Sequence, residues 1–567
     1  MQLITTFMVC VVLFGIMSAC PDACFCTTST FGVNVFCNQT GLGSIPTNLP
    51  VNTYYLDLSN NNISVVEDTA FRNLKSLHDL ILDGNNIPVI HKNAFNNLPS
   101  LYYLSIYHSE ISVIEENAFT NLPSLHELLL GRNRISVVQK NTFNNLPSLS
   151  SLSLFYSNIS AIEKDAFINL PSLHSLKLSE NQIVFIQNST FQNVQNLQNL
   201  DLSFNKISVI EENDFLNSAS QYDLILSGNA ISVIKNDIFY NLLSLNSLYL
   251  DRCQISIIKS GTFVNMPKLL VIDLSHNNIS VIEDNAFINL LALEYLYLTG
   301  NKISVVRAGI FNNLPSLKHL YIDKCEITAI TYGNFFNTPG LYAISMTDNV
   351  ISVIENDAFM NLSLLGYLDL RQNNISVIRQ DAFRYLSSLT YLNLANNDVS
   401  VIEQDAFRFL TTLPYIYLYI DLHCDCNNIW LLKWSDSKSS YRGSLSITCI
   451  DDNYNHLQET CCKQGCINGG TCYKDSDGKQ CSCLGDVDWS GTLCTGVLFT
   501  PSDSEDNMGK RGCCSPGVVA GLVVSSVTLA VLGLLIPIIA RTRFAIYKRQ
   551  KSQMLIYAVA SQSQRSV

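Results

Sequence analysis

Between residues 53 and 412 the apolar positions of this chain recur on a period of 24. Leu77, Leu101, Leu125, Leu149, Leu173 and Leu197 mark one run, and Leu245 to Leu413 continue it at the same step. The unit reads LxxLxLxxNxISVIxxxAFxNLPS, and fifteen units follow one another without insertion or deletion. A fixed period of this length marks stacked structural repeats. The two halves of the unit behave differently. ISVIEENAF, ending at Phe119, returns as ISVIEDNAF at Phe287, ISVIENDAF at Phe359 and ISVIRQDAF at Phe383. The LxxLxLxx half keeps only its apolar skeleton.

The LxL alternation predicts a short strand with one face inward. Units that each cover the face left open by a neighbour predict parallel strands lying side by side. The Asn at position nine (Asn85, Asn133, Asn181, Asn277 and Asn373, for example) is expected to hydrogen-bond backbone groups of the turn leaving the strand. Ser109, Ser157, Cys253, Cys325 and Asp421 take that slot elsewhere. Cys253 and Cys325 lie three repeats apart, ~14 Å at ordinary strand spacing, too far to bond, so they are expected to be buried structural thiols. Position nineteen is Phe in all fifteen units, from Phe71 to Phe407. It predicts a continuous aromatic stack on the convex side, each ring contributing ~2 kcal/mol through burial. On this reading the refrain is scaffold. The unit resembles the leucine-rich repeat of the typical extracellular subfamily, which implies an α/β horseshoe solenoid with a parallel β-sheet on its concave face. A sixteenth strand begins at Leu413.

Charge and hydropathy outside the repeats add a compartment. After Ala540 the chain carries Arg541, Arg543, Lys548, Arg549, Lys551 and Arg565 and no acid, leaving 29 basic against 47 acidic groups before it. So acidic a body argues against nucleic acid, whose phosphates must be met by Lys and Arg. Phe7–Ala19 has the length of a signal-peptide core and is too short to span a bilayer comfortably. Gly517–Ala540 is 24 residues without a charge, followed at once by the basic tail. The positive-inside rule then predicts a single-pass plasma-membrane protein with its N-terminus outside and a short cytoplasmic tail. Sequons at Asn38, Asn62, Asn158, Asn188, Asn278, Asn361 and Asn374 are candidate glycosylation sites on that route.

Apart from Cys10 in the expected signal peptide, the cysteines cluster at both ends of the repeats, as disulfide frameworks of small pieces do. CPDACFCTTSTFGVNVFC resembles the N-terminal cap of extracellular leucine-rich-repeat proteins, which implies Cys20–Cys26 and Cys24–Cys37. The CDC signature at Cys424 and Cys426, with Trp434 beyond it, resembles the C-terminal cap and implies Cys424–Cys449 and Cys426–Cys461. From Cys462 the spacing C-x3-C-x5-C-x8-C-x-C-x10-C, with GGTC and DWSGTLC, resembles an epidermal-growth-factor-like module. It implies Cys462–Cys472, Cys466–Cys481 and Cys483–Cys494, and without an acidic pattern before Cys462 no calcium is expected. The expected segments are thus a signal peptide (1–19), a cap (20–52), fifteen repeats (53–412), a last strand with cap (413–461), the growth-factor-like module (462–495), a stalk (496–516), a membrane helix (517–540) and a tail (541–567). Cys513 and Cys514 in the stalk, or the membrane helix, are candidate contacts for a homodimer or co-receptor.

Function is expected where the unit varies. The five x positions of LxxLxLxx should line the concave wall, and 17 of the 25 Tyr and six of the nine His lie there, on 80 positions. Tyr offers large, stiff, amphipathic contacts at low entropic cost, which suits recognition. β-propensity explains part of the enrichment, but not the scarcity of Leu and Ile, Ile81, Leu129, Ile225 and Ile420 being exceptions. The candidate ligand-binding residues are Tyr102, Tyr103, Tyr107, His108, Tyr156, Tyr249, Arg252, Tyr295, Tyr297, His319, Tyr321, Tyr342, Tyr367 and Tyr391. The six histidines stand on different repeats without a paired nucleophile, so neither catalysis nor a metal or other cofactor is expected.

The order of arc, growth-factor-like module and membrane anchor resembles vasorin-like and Slit-like proteins, and the concave repertoire is similar to that of variable lymphocyte receptors. This implies a cell-surface recognition or adhesion receptor, or co-receptor, for an extracellular protein or glycan. Two alternatives are a membrane-bound or shed trap for a growth factor, and an innate immune receptor needing a signalling partner.

Overall fold

The computed structural model describes residues 20–422, apart from 188–189, 192, 212–213, 216–221, 237, 240–241, 312–313 and 411–412, together with Leu431 and the strands Ser444–Cys449, Thr471–Lys474 and Cys481–Leu484. The expected signal peptide, stalk, membrane segment and tail, Cys424, Cys426, Cys461, Cys462, Cys466, Cys494 and Asn188 lie outside these residues. Among the described residues no helix is long and apolar enough to cross a membrane, and no group of His, Cys, Asp and Glu could hold a metal ion.

A hairpin opens the fold. Phe25–Thr28 pairs antiparallel with Val33–Phe36, which lies parallel to Thr53–Asp57. Little of this hairpin is buried, and disulfides Cys20–Cys26 and Cys24–Cys37 hold it. From Thr53–Asp57 onward each short strand pairs with residues 24 further along: Leu56 with Leu80, Leu80 with Leu104, Tyr295 with His319, Tyr391 with Tyr415. The constant period therefore becomes a constant register. Side chains at one position stand in one row, and the leucine rows, together with Ile63 and its counterparts, form a single core.

The polar row inside this core follows the same rule. The Nδ2 of Asn133 donates to the carbonyls of Ile106 and Leu130, each at 2.8 Å, so one amide ties two repeats. Its Oδ1 accepts from the amides of Ser109 and Ile111 at 2.9 and 3.1 Å. Asn85, Asn181, Asn277 and Asn373 repeat the donor pattern. Where Ser or Cys replaces Asn, a shorter donor reaches the same carbonyl: Ser109 Oγ to Leu82 at 3.0 Å, Cys253 Sγ to Leu226 and Cys325 Sγ to Leu298 at 3.5 Å. Both thiols are buried and free, and burial pushes each up to about 11.

All fifteen phenylalanines of position nineteen are buried, at most 4% exposed. They stack in the runs Phe71–Phe191, Phe239–Phe287 and Phe335–Phe407, with centroids 5.6–6.3 Å apart. Aromatic pairs one repeat apart on the sheet side, such as Tyr295–His319 and Tyr367–Tyr391, stand only 4.6 and 4.3 Å apart. One rung thus takes more length at the back than at the front. The stack must bend, with the sheet inside the curve.

Three expectations need correction. The convex segments of the described repeats are turns, so the repeats form a β-solenoid and not an α/β one. Left-handed backbone recurs there, as at Asn93, Asn97, Asn117, Asn121 and Asp357, and interrupts a helix every few residues. The Asn and Asp of the refrain are the residues that tolerate it. Asp421 does not sit in a turn: the last strand runs on as Tyr415–Leu422 and pairs Asp421 with Thr448, because Ser444–Cys449 supplies a longer partner than a repeat does. Ile420, expected on the concave wall, is consequently buried.

Two predictions follow from these rows. Asn133→Ala should cost about 3 kcal/mol, because it leaves several buried backbone groups unpaired. Amide exchange at Ser109 and Ile111 should then accelerate by roughly a hundredfold, and by markedly less in Asn133→Ser; equal protection in all three proteins contradicts the role. Asp214 stands where most units carry a small residue and is 1% exposed. Its Oδ2 accepts from the Glu211 amide, Oδ1 finds no partner among the described residues, and burial pushes the carboxyl up to about 6. The folded state holds this proton more tightly, so stability is full below about pH 4 and falls as pH rises through about 6. Asp214→Asn should add roughly 2 kcal/mol at neutral pH and flatten denaturation midpoints between pH 4 and 6; an unchanged pH profile contradicts this.

Candidate functional site

After the first repeat, whose strand is Thr53–Asp57, only positions three to five of each repeat form the sheet strand; positions seven and eight turn away from it. Position eight has a positive φ in all fifteen repeats, among them His108 (52°), Tyr156 (54°), Arg252 (54°) and Gly228 (69°). The chain must reverse here to send the next residue, Asn or its substitute, into the core. A non-glycine residue pays about 1 kcal/mol for this conformation. Side chains at position eight therefore fan out along the rim, and His108, Tyr156 and Arg252 are exposed there. They were expected on the wall with the others. The sequence signal for this turn is the Gly or Asn at Asn60, Gly84, Gly228, Gly300 and Asn396.

The candidate residues fall into separate groups. In the first repeats Phe31, Tyr54, His78, Tyr102 and His126 form one column of stacked rings, 4.7–5.4 Å apart. Tyr107 packs on Phe155 at 5.8 Å, and the Arg132 guanidinium lies over both Tyr107 and Tyr156. Burial raises the Tyr103 phenol. Phe31, Arg132 and Phe155 are not among the sequence candidates, although Arg132 and Phe155 occupy variable positions. The middle of the face, at Ser150, Ser151, Ser153, Ser175, Ser179 and Ser203, is small and hydroxylated.

A second group begins at the ninth repeat. Tyr295 stacks on His319 at 4.6 Å and Tyr297 on Tyr321 at 4.9 Å, while Tyr342 meets His319 edge-on at 6.1 Å. Gly366 makes room for Tyr342, since a Cβ there would come within 2.7 Å of its ring. Further on, Tyr367 stacks on Tyr391 at 4.3 Å.

Carboxylates thread this second group. Asp323 accepts from Ser345 Oγ at 2.5 Å and the Thr347 amide at 2.8 Å, and Asp251 accepts from Ser227 Oγ. Burial raises the carboxyls of Asp273 and Asp369, and Arg371 lies 3.5 Å from Asp369. Arg252 leans on Asp251 at 3.7 Å. Burial pushes the Tyr297 phenol up to about 12, with Tyr321 adding to it, and raises those of Tyr249, Tyr321 and Tyr367. It also lowers the His319 imidazole, which stays neutral at physiological pH. The result is an uncharged aromatic ladder bordered by acids. Such a surface offers phenol edges, hydroxyls and carboxylate oxygens to a ligand, and no nucleophile with a base.

Nine overlapping stretches between residues 51 and 419 match the family described as Leucine rich repeat. The chain belongs to the leucine-rich-repeat family. Shorter likenesses join it to individual members. A 61-residue stretch is 49% identical to Leucine-rich repeat-containing G-protein coupled receptor 6 of Danio rerio, covering 11% of this chain and 6% of that one. Human Decorin is 44% identical over 63 residues, 11% of this chain and 16% of its own. The chain thus spans less than a fifth of the length of these curated relatives. Among solved structures, the Toll–Spatzle complex of Drosophila aligns over 76% of this chain and 62% of the other at 18% identity, with a TM-score of 0.57. A leucine-rich-repeat protein of Leptospira interrogans aligns over 69% and 95% at 22% identity, with a TM-score of 0.54. At these identities the likeness is one of fold. This leucine-rich-repeat protein carries stacked aromatic and acidic side chains on its sheet face.

Proposed function

We propose that this chain is a cell-surface recognition receptor whose concave face, around repeats nine to thirteen, takes a protein ligand through Lys and Arg side chains. The observation that carries the reading is the ladder of Tyr295, Tyr297, His319 and Tyr321 beside half-buried carboxylates such as Asp273, whose carboxyl burial raises. A buried carboxylate gains most from a cation that arrives with it into the interface. The variable positions of the sixteen LxxLxLxx segments carry thirteen acidic and six basic side chains, so the face and its rim together favour a basic partner. Stacked rings cover one another's faces and present edges, which suits hydrogen bonding to guanidinium and ammonium groups better than the flat stacking a sugar ring needs. The receptor among the relatives and the protein ligand in the Toll–Spatzle complex support the same class of function. Membrane anchorage through 517–540 and glycosylation at the exposed sequons belong to this proposal.

The test displays the full chain on cells and captures secreted and matrix proteins. Changing Tyr295, Tyr297 and Tyr321 together to Ala should weaken retention at least tenfold, as loss of aromatic anchors does at protein interfaces. Asp251→Lys with Asp273→Lys should do the same, and binding should fall steeply with added salt. Retention indifferent to both variants contradicts the site, and retention abolished by glycosidase treatment of the ligand shows a glycan in place of a protein.

A further inference from the structure

The refrain contains one apolar residue that the core does not use. Position thirteen is Val in eleven repeats, Ile257, Phe185, Ala161 and Ala329 in the others, and polar in none of the fifteen. Its neighbours at positions eleven and fourteen are buried, but position thirteen is exposed in nine repeats, with Phe185 at 56%, Val233 at 53% and Val305 at 60%, and half-buried in the other six. The expectation that the constant half only holds the arc together does not cover this row. Strand preference does not account for it either. Several of these residues open two-residue parallel strands, such as Val89–Ile90 beside Val113–Ile114, but Thr would suit such a strand equally well and keep it wet.

The row is long and regular. Fifteen rungs at ~4.8 Å make a line of roughly 70 Å along one flank. At roughly 50 Å² of exposed apolar surface per rung it offers about 750 Å² per chain, close to what a stable interface buries on each partner. A partner that covers the row must present apolar groups at the same step over the same length. A second copy of this chain does so by construction.

We infer that two copies of this protein pair flank to flank through position thirteen, running antiparallel about a two-fold axis between the seventh and eighth repeats, so that fourteen of the fifteen rungs meet a partner rung. That axis sets Phe185 against the partner's Ile257 and Val209 against the partner's Val233, larger side chains outside and smaller ones at the centre. Val184, also exposed, widens the row at Phe185. Docking is by side chains, because the short strands there already pair within each chain. The concave face stays open, so the pairing stands independently of the ligand proposed above.

The experiment co-expresses two differently tagged full-length chains, Val209→Cys in one and Val233→Cys in the other, both carrying Cys513→Ser and Cys514→Ser. Most surface chains are expected as a disulfide-linked heterodimer on a non-reducing gel, with little covalent dimer from either chain expressed alone. Phe185→Lys in both chains should reduce the linked form at least tenfold while surface arrival, read from the tags, is kept. Absence of the heterodimer with both chains at the surface overturns the proposal. So does equal linkage from Val209→Cys alone, or linkage indifferent to Phe185→Lys. If the cysteine chains are retained inside cells, sedimentation of the wild-type chain in detergent decides: a dimer that Phe185→Lys dissociates supports the pairing, and a monomer overturns it.

Discussion

Everything in this molecule depends on each repeat contacting the next at the same position, one rung on. A solenoid strand of three residues makes too few hydrogen bonds to persist alone, and its leucines would be half exposed. Stacked at a constant step of 24 residues, every Leu, Asn and Phe meets its own kind. Stability is then approximately a sum of nearest-neighbour terms. The Asn row shows how tightly this binds the design: one side-chain amide bridges the carbonyls of Ile106 and Leu130, so the polar groups of one turn are satisfied only if the adjoining turn is in register.

The same constraint produces the curvature and, with it, a face suited to recognition. Phenylalanine rings at the back are spaced more widely than the tyrosine and histidine rings at the front, and the sheet therefore lies on the shorter, inner side. Residues on it are displayed by a scaffold that does not consult them for stability. They are free to vary, and in this chain they vary towards tyrosine and aspartate. Stacking of like positions also explains why Tyr297 and Tyr321 form a ladder: a period that aligns leucines aligns whatever occupies the intervening positions.

Much of this was legible in the sequence. The period announces the solenoid, the LxL alternation its strands, and the substitution of Ser109 or Cys253 for Asn the slot they share. What escaped was set by backbone conformation and by the neighbours of an element. The left-handed residue at position eight carries Tyr156 and Arg252 to the rim, and composition gives only the hint of Gly84 and Gly228. Asn and Asp in the refrain permit the tight convex turns that stand where the resemblance implied a helix, and no apolar periodicity marks that role. The long last strand, with Ile420 in the core, depends on a cap strand whose pairing no local pattern foretells. The exposed Val of ISVI is indistinguishable in sequence from the buried residues on either side of it.

In-register stacking can be tested by changing the step itself. Deleting residues 125–148 removes one full repeat and joins Ser124 to Leu149 with the refrain intact, whereas deleting 125–147 leaves the chain one residue out of step. If the account is right, denaturant melts followed by near-ultraviolet circular dichroism will show the first protein unfolding close to the parent midpoint with its aromatic signal retained. The second will lose both. Equal stability of the two deletions would contradict the account, because register would then not be what holds the structure together.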